Sequence, residues 1–160
     1  MNFIKGNILD FTEDAVGHGC NCQSVMGAGV ARAIREKYPQ VYEIDCNDER
    51  NPKEKLGKFS IADLDNKKKC YNIYSQYDCG GRNYGEIDLD YDALKSGLEL
   101  VFKDMNDKSL KSIALPLIGA GLAGGDWNLI EPIIDDLSKK YNIKVVIYYI
   151  GGHFDFSDRK

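Results

Sequence analysis

Two glycine-rich segments constrain the fold of this 160-residue chain more than any other feature. Residues 27–31 and 119–125 each follow a short apolar run with the composition of a β-strand, and each leads into a helical pattern. A glycine loop that enters a helix exposes backbone N–H groups at the positive end of the helix dipole, which favours phosphate. Two such loops in one domain predict a ligand with two phosphates, or with one phosphate and another anionic group.

Apolar, strand-like segments alternate with helical patterns along the chain. We expect helices over residues 29–38, 90–106 and 127–141, because apolar residues recur there at helical spacing. The predicted strands are residues 3–5, 15–18, 59–64, 70–75, 112–117 and 144–150. Such alternation predicts an α/β layered sheet in one domain over residues 1–150. Residues 151–160, which include His153, are expected to form a loose tail.

The composition excludes several classes of protein. The formal net charge of −4 argues against generic nucleic-acid binding. No apolar run approaches the ~20 residues that cross a membrane, so we expect no membrane association. The start of the chain lacks the regions of a signal peptide, and the five cysteines form no CxxC pair. We therefore expect a cytoplasmic protein with reduced thiols.

The second glycine segment matches the dinucleotide fingerprint in form, because Gly119, Gly121 and Gly124 have its spacing. That fingerprint needs an acidic residue on the next strand, and residues 145–150 contain none. No GK[ST] follows either loop, which disfavours a P-loop kinase or ATPase. A tight turn with a purely structural role remains the alternative.

The polar cluster at residues 18–22 lies just before the first glycine loop. His18, Cys20 and Cys22 share one face of an extended segment, so zinc is an alternative to a buried strand with a hydrogen-bonded histidine. Cysteine phosphatases place an arginine six residues after the nucleophile. Met26 and Ala28 stand there, which disfavours that chemistry.

Two acidic segments have structural and functional interpretations. Asp88, Asp90 and Asp92 imitate a calcium loop, but Ala93 stands where that loop needs glycine, so Asp90 is better explained as a helix cap. Asp126 lies beside the second glycine loop. It is a natural N-cap for the following helix and also a catalytic candidate.

Four motifs in this order resemble the macro domain, the ADP-ribose-binding α/β module. They are KGNIL at residues 5–9, HGCN at 18–21, MGAGVARAI at 26–34 and LPLIGAGL at 115–122. The resemblance implies a three-layer α/β/α fold with a mixed central sheet. Within the family, the chain is most similar to the yeast-type ADP-ribose 1''-phosphate phosphatases, which share HxCNC, KYP, a Gly-Gly pair and the tryptophan after the second loop.

The resemblance also implies which residues bind ADP-ribose. Asn7 and Ile8 would lie at the adenine, and Asn21 would hold the distal ribose. Asn7 replaces the common aspartate at the adenine amino group, although its carbonyl oxygen can accept that bond. Tyr148 and Ile150 would flank the adenine. The residues expected to wrap the phosphates are Gly27, Ala28, Gly29, Val30, Gly119, Ala120, Gly121, Leu122 and Ala123.

The activity implied is hydrolysis of the terminal phosphate of ADP-ribose 1''-phosphate. We expect His18 to act as general acid or to orient the attacking water, Asn21 to hold the ribose and that water, and Asp126 to be a weaker base candidate. No metal or cofactor is required, and we expect a monomer.

Other functions remain open. A related branch removes ADP-ribose from glutamate with a lysine and an aspartate, but Gln76 and Ala123 occupy those positions here. A non-catalytic ADP-ribose reader is one alternative, and a hydrolase of ester-linked ADP-ribose on proteins or nucleic acid is another. A redox or zinc protein built on Cys20 and Cys22 is the last.

Overall fold

A six-stranded mixed sheet forms the centre of the computed structural model, which describes residues 1–152 and 154–159. His153 falls outside the described residues. The strands are β1 (Asn2–Lys5), β2 (Ala15–Asn21), β3 (Phe59–Asp63), β4 (Lys69–Gln76), β5 (Ser112–Leu115) and β6 (Lys144–Tyr149). Their order across the sheet is β1-β6-β5-β2-β4-β3; β3 pairs antiparallel with β4, and the other neighbouring strands pair parallel.

Helices cover both faces of this sheet, which gives the expected three-layer α/β/α fold. They are α1 (Gly29–Lys37), α2 (Pro39–Cys46), α3 (Pro52–Lys55), α4 (Tyr91–Asp107) and α5 (Trp127–Tyr141). Apolar residues of α4 and α5 pack in one core with one face of the sheet, and Ile34 of α1 and Val41 of α2 pack in a second core on the other face. No helix among the described residues has the length and apolar character needed to cross a membrane.

The apolar face of helix α4 is buried, as the spacing of its apolar residues predicts. The residues predicted to form its apolar face, Leu94, Leu98, Val101, Phe102 and Met105, are all fully buried. Asp90 caps the helix, because its carboxylate accepts a hydrogen bond from the backbone N–H of Ala93 at 2.9 Å. The cap interpretation of Asp90 is confirmed.

The region after α1 contains a helix that we did not predict. Helix α1 ends at Lys37, one residue before its predicted end, and Pro39 begins α2. Proline is favoured in the first turn of a helix, where its missing N–H is not needed. The buried Val41 anchors α2 against the sheet.

The carboxyl-terminal segment packs on the body of the protein, so the prediction of a loose tail was wrong. Phe156 is buried and stacks on Phe3 of the edge strand β1, with ring centroids 4.6 Å apart. It also meets the ring of Tyr149 edge-on at 5.1 Å. The segment is too short for its aromatic residues to form a periodic pattern, so the sequence did not indicate this contact. The contact depends on aromatic side chains that the fold brings together, since Phe156 also meets the ring of Trp127 at 6.3 Å.

The parallel strands direct their carboxyl ends to one edge of the sheet. The connections that follow β2, β4 and β5 therefore lie side by side, although residues 22, 77 and 116 are far apart in sequence. Ligands of open α/β sheets bind at this edge.

Candidate functional site

A cleft of about 520 Å³ opens at the carboxyl edge of the sheet. Both glycine-rich segments line it, together with residues 18–21 of β2, residues 116–118 after β5, and part of the connection that follows β4. Of the residues predicted to wrap phosphates, the cleft is lined by Gly27, Ala28, Gly29, Val30, Gly119, Gly121, Leu122 and Ala123. Ala120 packs instead against the hydrophobic core.

The first glycine loop leaves the start of α1 open to a ligand. Ala28 precedes the helix in an extended conformation and makes no side-chain capping hydrogen bond. The first N–H groups of a helix that lacks such a cap are free to meet an anion. Gly29 has a φ of +60°, which disfavours any residue with a side chain. A Cβ at Gly29 would also lie 3.3 Å from Cδ1 of Leu122, so the two loops nearly touch.

The second glycine loop is folded tightly on itself. The N–H of Gly125 donates to the carbonyl of Gly119 at 2.7 Å, and that of Gly124 donates to the carbonyl of Gly121 at 3.1 Å. Gly119 and Gly124 have φ values of +79° and +76°, so glycine is required at both. A Cβ at Gly121 would meet no atom within 4 Å, because this residue faces the open cleft.

Asn21 lines the cleft and also shapes the turn that leads to the first glycine loop. Its Oδ1 accepts hydrogen bonds from the N–H groups of Gln23 at 2.9 Å and Val25 at 3.3 Å. Its Nδ2 donates to the carbonyl of Val25 at 2.8 Å. The side chain therefore holds the loop, and its predicted contact with a ribose stays a prediction.

His18 lies at the base of the cleft in a buried polar cluster. Its ring is 1% exposed, and its Nε2 lies 2.6 Å from Oδ1 of Asn72 on the neighbouring strand. The amide of Asn72 donates to the carbonyl of Val41 and the hydroxyl of Ser60, so its oxygen faces the histidine. His18 Nε2 must therefore carry the hydrogen. Burial lowers the pKa of His18 to about 4, and this neutral, committed ring does not favour the predicted acid role.

The burial of His18 predicts a specific pH dependence of stability. The imidazole of His18 takes up a proton near pH 6.5 in the unfolded chain but only near pH 4 in the folded chain. The contribution of His18 to the free energy of unfolding is therefore fully present above pH 6.5 and decreases as the pH falls towards 4. Urea unfolding of the wild type and of His18→Gln measures this contribution. We expect the difference between their free energies of unfolding to decrease by about 3 kcal/mol from pH 6.5 to pH 4. A difference between the two proteins that stays constant from pH 7 to about pH 4 would contradict this.

Asp126 acts as a helix cap in the structure. Its carboxylate accepts a hydrogen bond from the N–H of Asn128 at 2.9 Å, and its own N–H donates to the hydroxyl of Tyr91. The residue is exposed and does not line the cleft. The N-cap interpretation is confirmed, and this placement does not favour Asp126 as a base.

The residues predicted to surround an adenine lie beyond the cleft. Asn7 caps a short 3₁₀ turn through a 2.9 Å hydrogen bond to its Oδ1 from the N–H of Leu9, and Ile8 is buried in that turn. The hydroxyl of Tyr148 donates to Glu13 at 2.8 Å, while Ile150 is 84% exposed at the end of β6. None of these four predicted residues lines the cleft, so their contacts with a base stay predictions.

Four residues of the connection after β4 line the cleft although we did not predict them as site residues. They are Cys79, Gly80, Arg82 and Asp88. The glycine- and tyrosine-rich composition of this loop was a signal for function, but nothing in the sequence distinguished Asp88 from its acidic neighbours. Gln76 lines the cleft as well, and its amide donates to the carbonyl of Asp78 at 2.8 Å.

The thiols beneath the cleft are protonated. Burial raises the pKa of Cys22 to about 11, and burial also raises the pKa of Cys20 well above its usual range. A thiolate is the reactive form of cysteine, so neither residue is suited to nucleophilic chemistry at neutral pH. Within the described part of the chain, no three His, Cys, Asp or Glu residues are grouped to hold a metal ion.

This geometry defines a class of protein. Two glycine loops and an uncapped helix start surround one cleft at the carboxyl edge of a mixed α/β sheet, which is suited to a phosphorylated ligand. The family model described as Macro domain matches residues 18–134. The chain belongs to the macro domain family.

Several known proteins are similar to this chain along most of its length. An uncharacterized 17.5 kDa protein from the tk-vs intergenic region of Enterobacteria phage T4 is 32% identical, over 91% of this chain and 95% of that protein. The DNA ADP-ribosyl glycohydrolase of Mycobacterium tuberculosis is 24% identical over 92% of this chain, but over only 42% of its own length. A solved structure of a protein of unknown function from Bacteroides thetaiotaomicron has a TM-score of 0.80 and 26% identity, over 92% of this chain and 96% of that one. These relatives do not support the finer likeness to the yeast-type phosphatases.

Proposed function

We propose that this chain binds ADP-ribose along the cleft and hydrolyses the bond to a group carried on C1'' of the distal ribose. The observation that carries the proposal is that both glycine loops line one cleft of about 520 Å³, where their backbone N–H groups can meet a diphosphate. Backbone N–H groups would neutralise the diphosphate without lysine or arginine, which is compatible with a net charge of −4.

The order of the strands gives the ligand a direction. The adenine contacts implied by the macro domain resemblance follow β1 and β6 on one side of the sheet, whereas Asn21 and Gln76 end β2 and β4 on the other. An adenosine near Ile8 therefore directs the distal ribose towards the connection after β4. The reacting end of the substrate would lie beside Arg82 and Asp88, the charged side chains of that connection that line the cleft.

ADP-ribose 1''-phosphate is the first candidate substrate. Arg82 is exposed, lines the cleft and offers a cation for a terminal phosphate. The lysine and aspartate that a related branch uses on glutamate conjugates correspond to Gln76 and Ala123. Gln76 is neutral, and the carbonyl of Ala123 accepts hydrogen bonds from the N–H groups of Asp88 and Leu89. Neither residue can supply that chemistry.

Removal of ADP-ribose from DNA is the second candidate. It is favoured by the similarity to the M. tuberculosis protein named as a DNA ADP-ribosyl glycohydrolase. The net charge of −4 disfavours extended contact with a nucleic acid. Binding of a single conjugated nucleotide at the mouth of the cleft does not require such contact.

Three measurements on the purified chain test the proposal. We expect calorimetry to detect binding of ADP-ribose, and incubation with ADP-ribose 1''-phosphate to release inorganic phosphate. A parallel incubation with ADP-ribosylated DNA, in which free ADP-ribose is measured, distinguishes the second candidate. Binding without turnover of either substrate would identify a reader and contradict the proposed hydrolysis.

A further inference from the structure

The connection between β4 and α4, residues 77–90, forms one wall of the cleft; we call it the β4 loop. It contains a short 3₁₀ helix, Gly81–Tyr84, flanked by Gly80 and Gly85 with φ values of +83° and +71°. These two left-handed glycines turn the chain sharply, and the loop returns towards the second glycine loop before α4 begins.

Asp88 carries the only carboxylate on the cleft wall among the residues that the structure describes. Its Oδ2 accepts a hydrogen bond from the N–H of Gly81 at 3.1 Å. Its Oδ1 accepts no hydrogen bond from the described part of the protein, so this oxygen can serve a ligand or a water molecule. The side chain is half-buried, which restricts its movement while leaving it accessible.

Gly81 makes room for this carboxylate. A Cβ at Gly81 would lie 2.5 Å from Oδ1 and 3.2 Å from Cγ of Asp88, so a side chain at this position would displace the carboxylate. The glycine lets its backbone N–H approach the carboxylate directly, and this hydrogen bond orients the carboxylate group.

The backbone around Asp88 is tied to the second glycine loop. The N–H groups of Asp88 and Leu89 both donate to the carbonyl of Ala123, at 3.0 and 3.2 Å. Ile87 packs over Gly124, where an added Cβ would lie 3.6 Å from its side chain. The carboxylate is therefore held in a constant position relative to the loop proposed to bind the diphosphate. Such preorganisation is what a catalytic group requires.

We propose that Asp88 is the general base of this site, an inference that rests on the proposed hydrolysis and deepens it. Asp88 takes a proton from a water molecule, and the water oxygen forms a bond to C1'' of the distal ribose. The bond between C1'' and the oxygen of the leaving group breaks, and its electron pair leaves with that group, phosphate or another conjugate. The products are ADP-ribose and the free leaving group, and the proton on Asp88 returns to solvent.

The other groups at the cleft do not meet this requirement. His18 is committed to Asn72 and is neutral, and Asp126 caps a helix outside the cleft. Gln76 has no basic group, and burial raises the pKa of the two cysteine thiols that line the cleft, Cys20 and Cys79. Among the described residues that line the cleft, Asp88 alone combines a carboxylate, an oxygen without a hydrogen bond from these residues and a place beside the expected position of the distal ribose.

Three variants separate catalysis by Asp88 from support of the loop. Asp88→Asn keeps an oxygen that accepts the hydrogen bond from Gly81 but cannot take a proton. Asp88→Ala loses both functions. Glu86→Gln is the matched control, since it removes one negative charge from an exposed position of the same loop that does not line the cleft. For Asp88→Asn we expect kcat to fall about 100-fold or more while the Kd for ADP-ribose changes less than about twofold. Glu86→Gln should retain wild-type turnover.

The outcomes distinguish this inference from the proposed function. If the wild type turns over substrate and Asp88→Asn matches it while Asp88→Ala is impaired, Asp88 only supports the loop and the inference is overturned. A wild type that binds ADP-ribose but turns over neither substrate contradicts the proposed function and this inference together. In H₂¹⁸O, phosphate released from ADP-ribose 1''-phosphate should carry no label, because water attacks C1''. Labelled phosphate would overturn the step.

Discussion

Replacing Lys55 with methionine is expected to lower the free energy of unfolding by about 3–5 kcal/mol. Lys55 Nζ lies 2.8 Å from Oδ1 of Asp45, and the two side chains are only 3% and 1% exposed. The hydroxyl of Tyr74 donates to the same oxygen at 2.7 Å, while Oδ2 of Asp45 accepts no hydrogen bond from the described protein. Methionine retains most of the volume but leaves a buried carboxylate without its cation.

Urea unfolding at neutral pH measures this effect. The matched control is Lys108→Met, because Lys108 pairs with Asp104 at 2.6 Å on the partly exposed surface of α4. That substitution should cost no more than about 1 kcal/mol. The double variant Asp45→Asn/Lys55→Met should recover part of the loss, since it also removes the stranded charge. If the two lysine substitutions lowered the free energy of unfolding equally, burial of the Lys55–Asp45 pair would have no effect on the cost of losing its cation.

The buried pair also supports the approach to the first glycine loop. Lys55 Nζ donates to the hydroxyl of Ser24 at 3.4 Å, and the hydroxyl of Tyr42 donates to the Ser24 carbonyl at 3.1 Å. Ser24 has a φ of +57°, which is uncommon for a residue with a side chain. The Lys55–Asp45 ion pair and Tyr42 therefore hold the turn at Ser24. This turn lies within residues 22–26, which lead from β2 to the first glycine loop.

Gly121→Phe is expected to weaken ADP-ribose binding about 100-fold or more without unfolding the protein. A Cβ at this position meets no atom within 4 Å, so the added ring extends into the open cleft rather than into the core. The ring would then occupy space on the wall that we propose faces the diphosphate. Calorimetric titration with ADP-ribose measures the loss, and thermal unfolding checks that the fold is retained.

Two further variants make this test specific. Gly121→Ala adds only one methyl group at the same place and should weaken binding by about tenfold or less. Asn128→Phe places the same ring on the exposed surface of α5, away from the cleft, and should leave the affinity unchanged. Wild-type affinity for Gly121→Phe would exclude a ligand that passes along the second glycine loop.

The local elements were predictable where one physical signal dominated. The apolar spacing from Leu94 to Met105 defined α4, and the cap at Asp126 marked the start of α5 at Trp127. Helix α2 was missed because the proline that ends one helix can also begin the next. The packing of Phe156 was missed because it depends on the side of β1 to which the chain returns.

The candidate site was predictable only in part. Its glycine loops have a local signature, since the need for positive φ at Gly29 or Gly119 selects glycine. The role of a polar side chain has no such signature. His18 resembled a catalytic histidine in sequence, but its strand places it beside Asn72, 54 residues away, on the face of the sheet that α2 covers. Asp88 resembled one of several loop acids until the fold put it on the cleft wall.

By itself, the sequence determined the α/β class, the two glycine loops and their place in the macro domain family, because turns, periodicity and phosphate-binding loops depend on neighbouring residues. Only the tertiary structure decided which side chains face the cleft, which titratable groups are buried, and that the β4 loop returns to the second glycine loop. Those properties depend on strand order and on contacts between residues far apart in the chain, whose desolvation and hydrogen bonding no local pattern records.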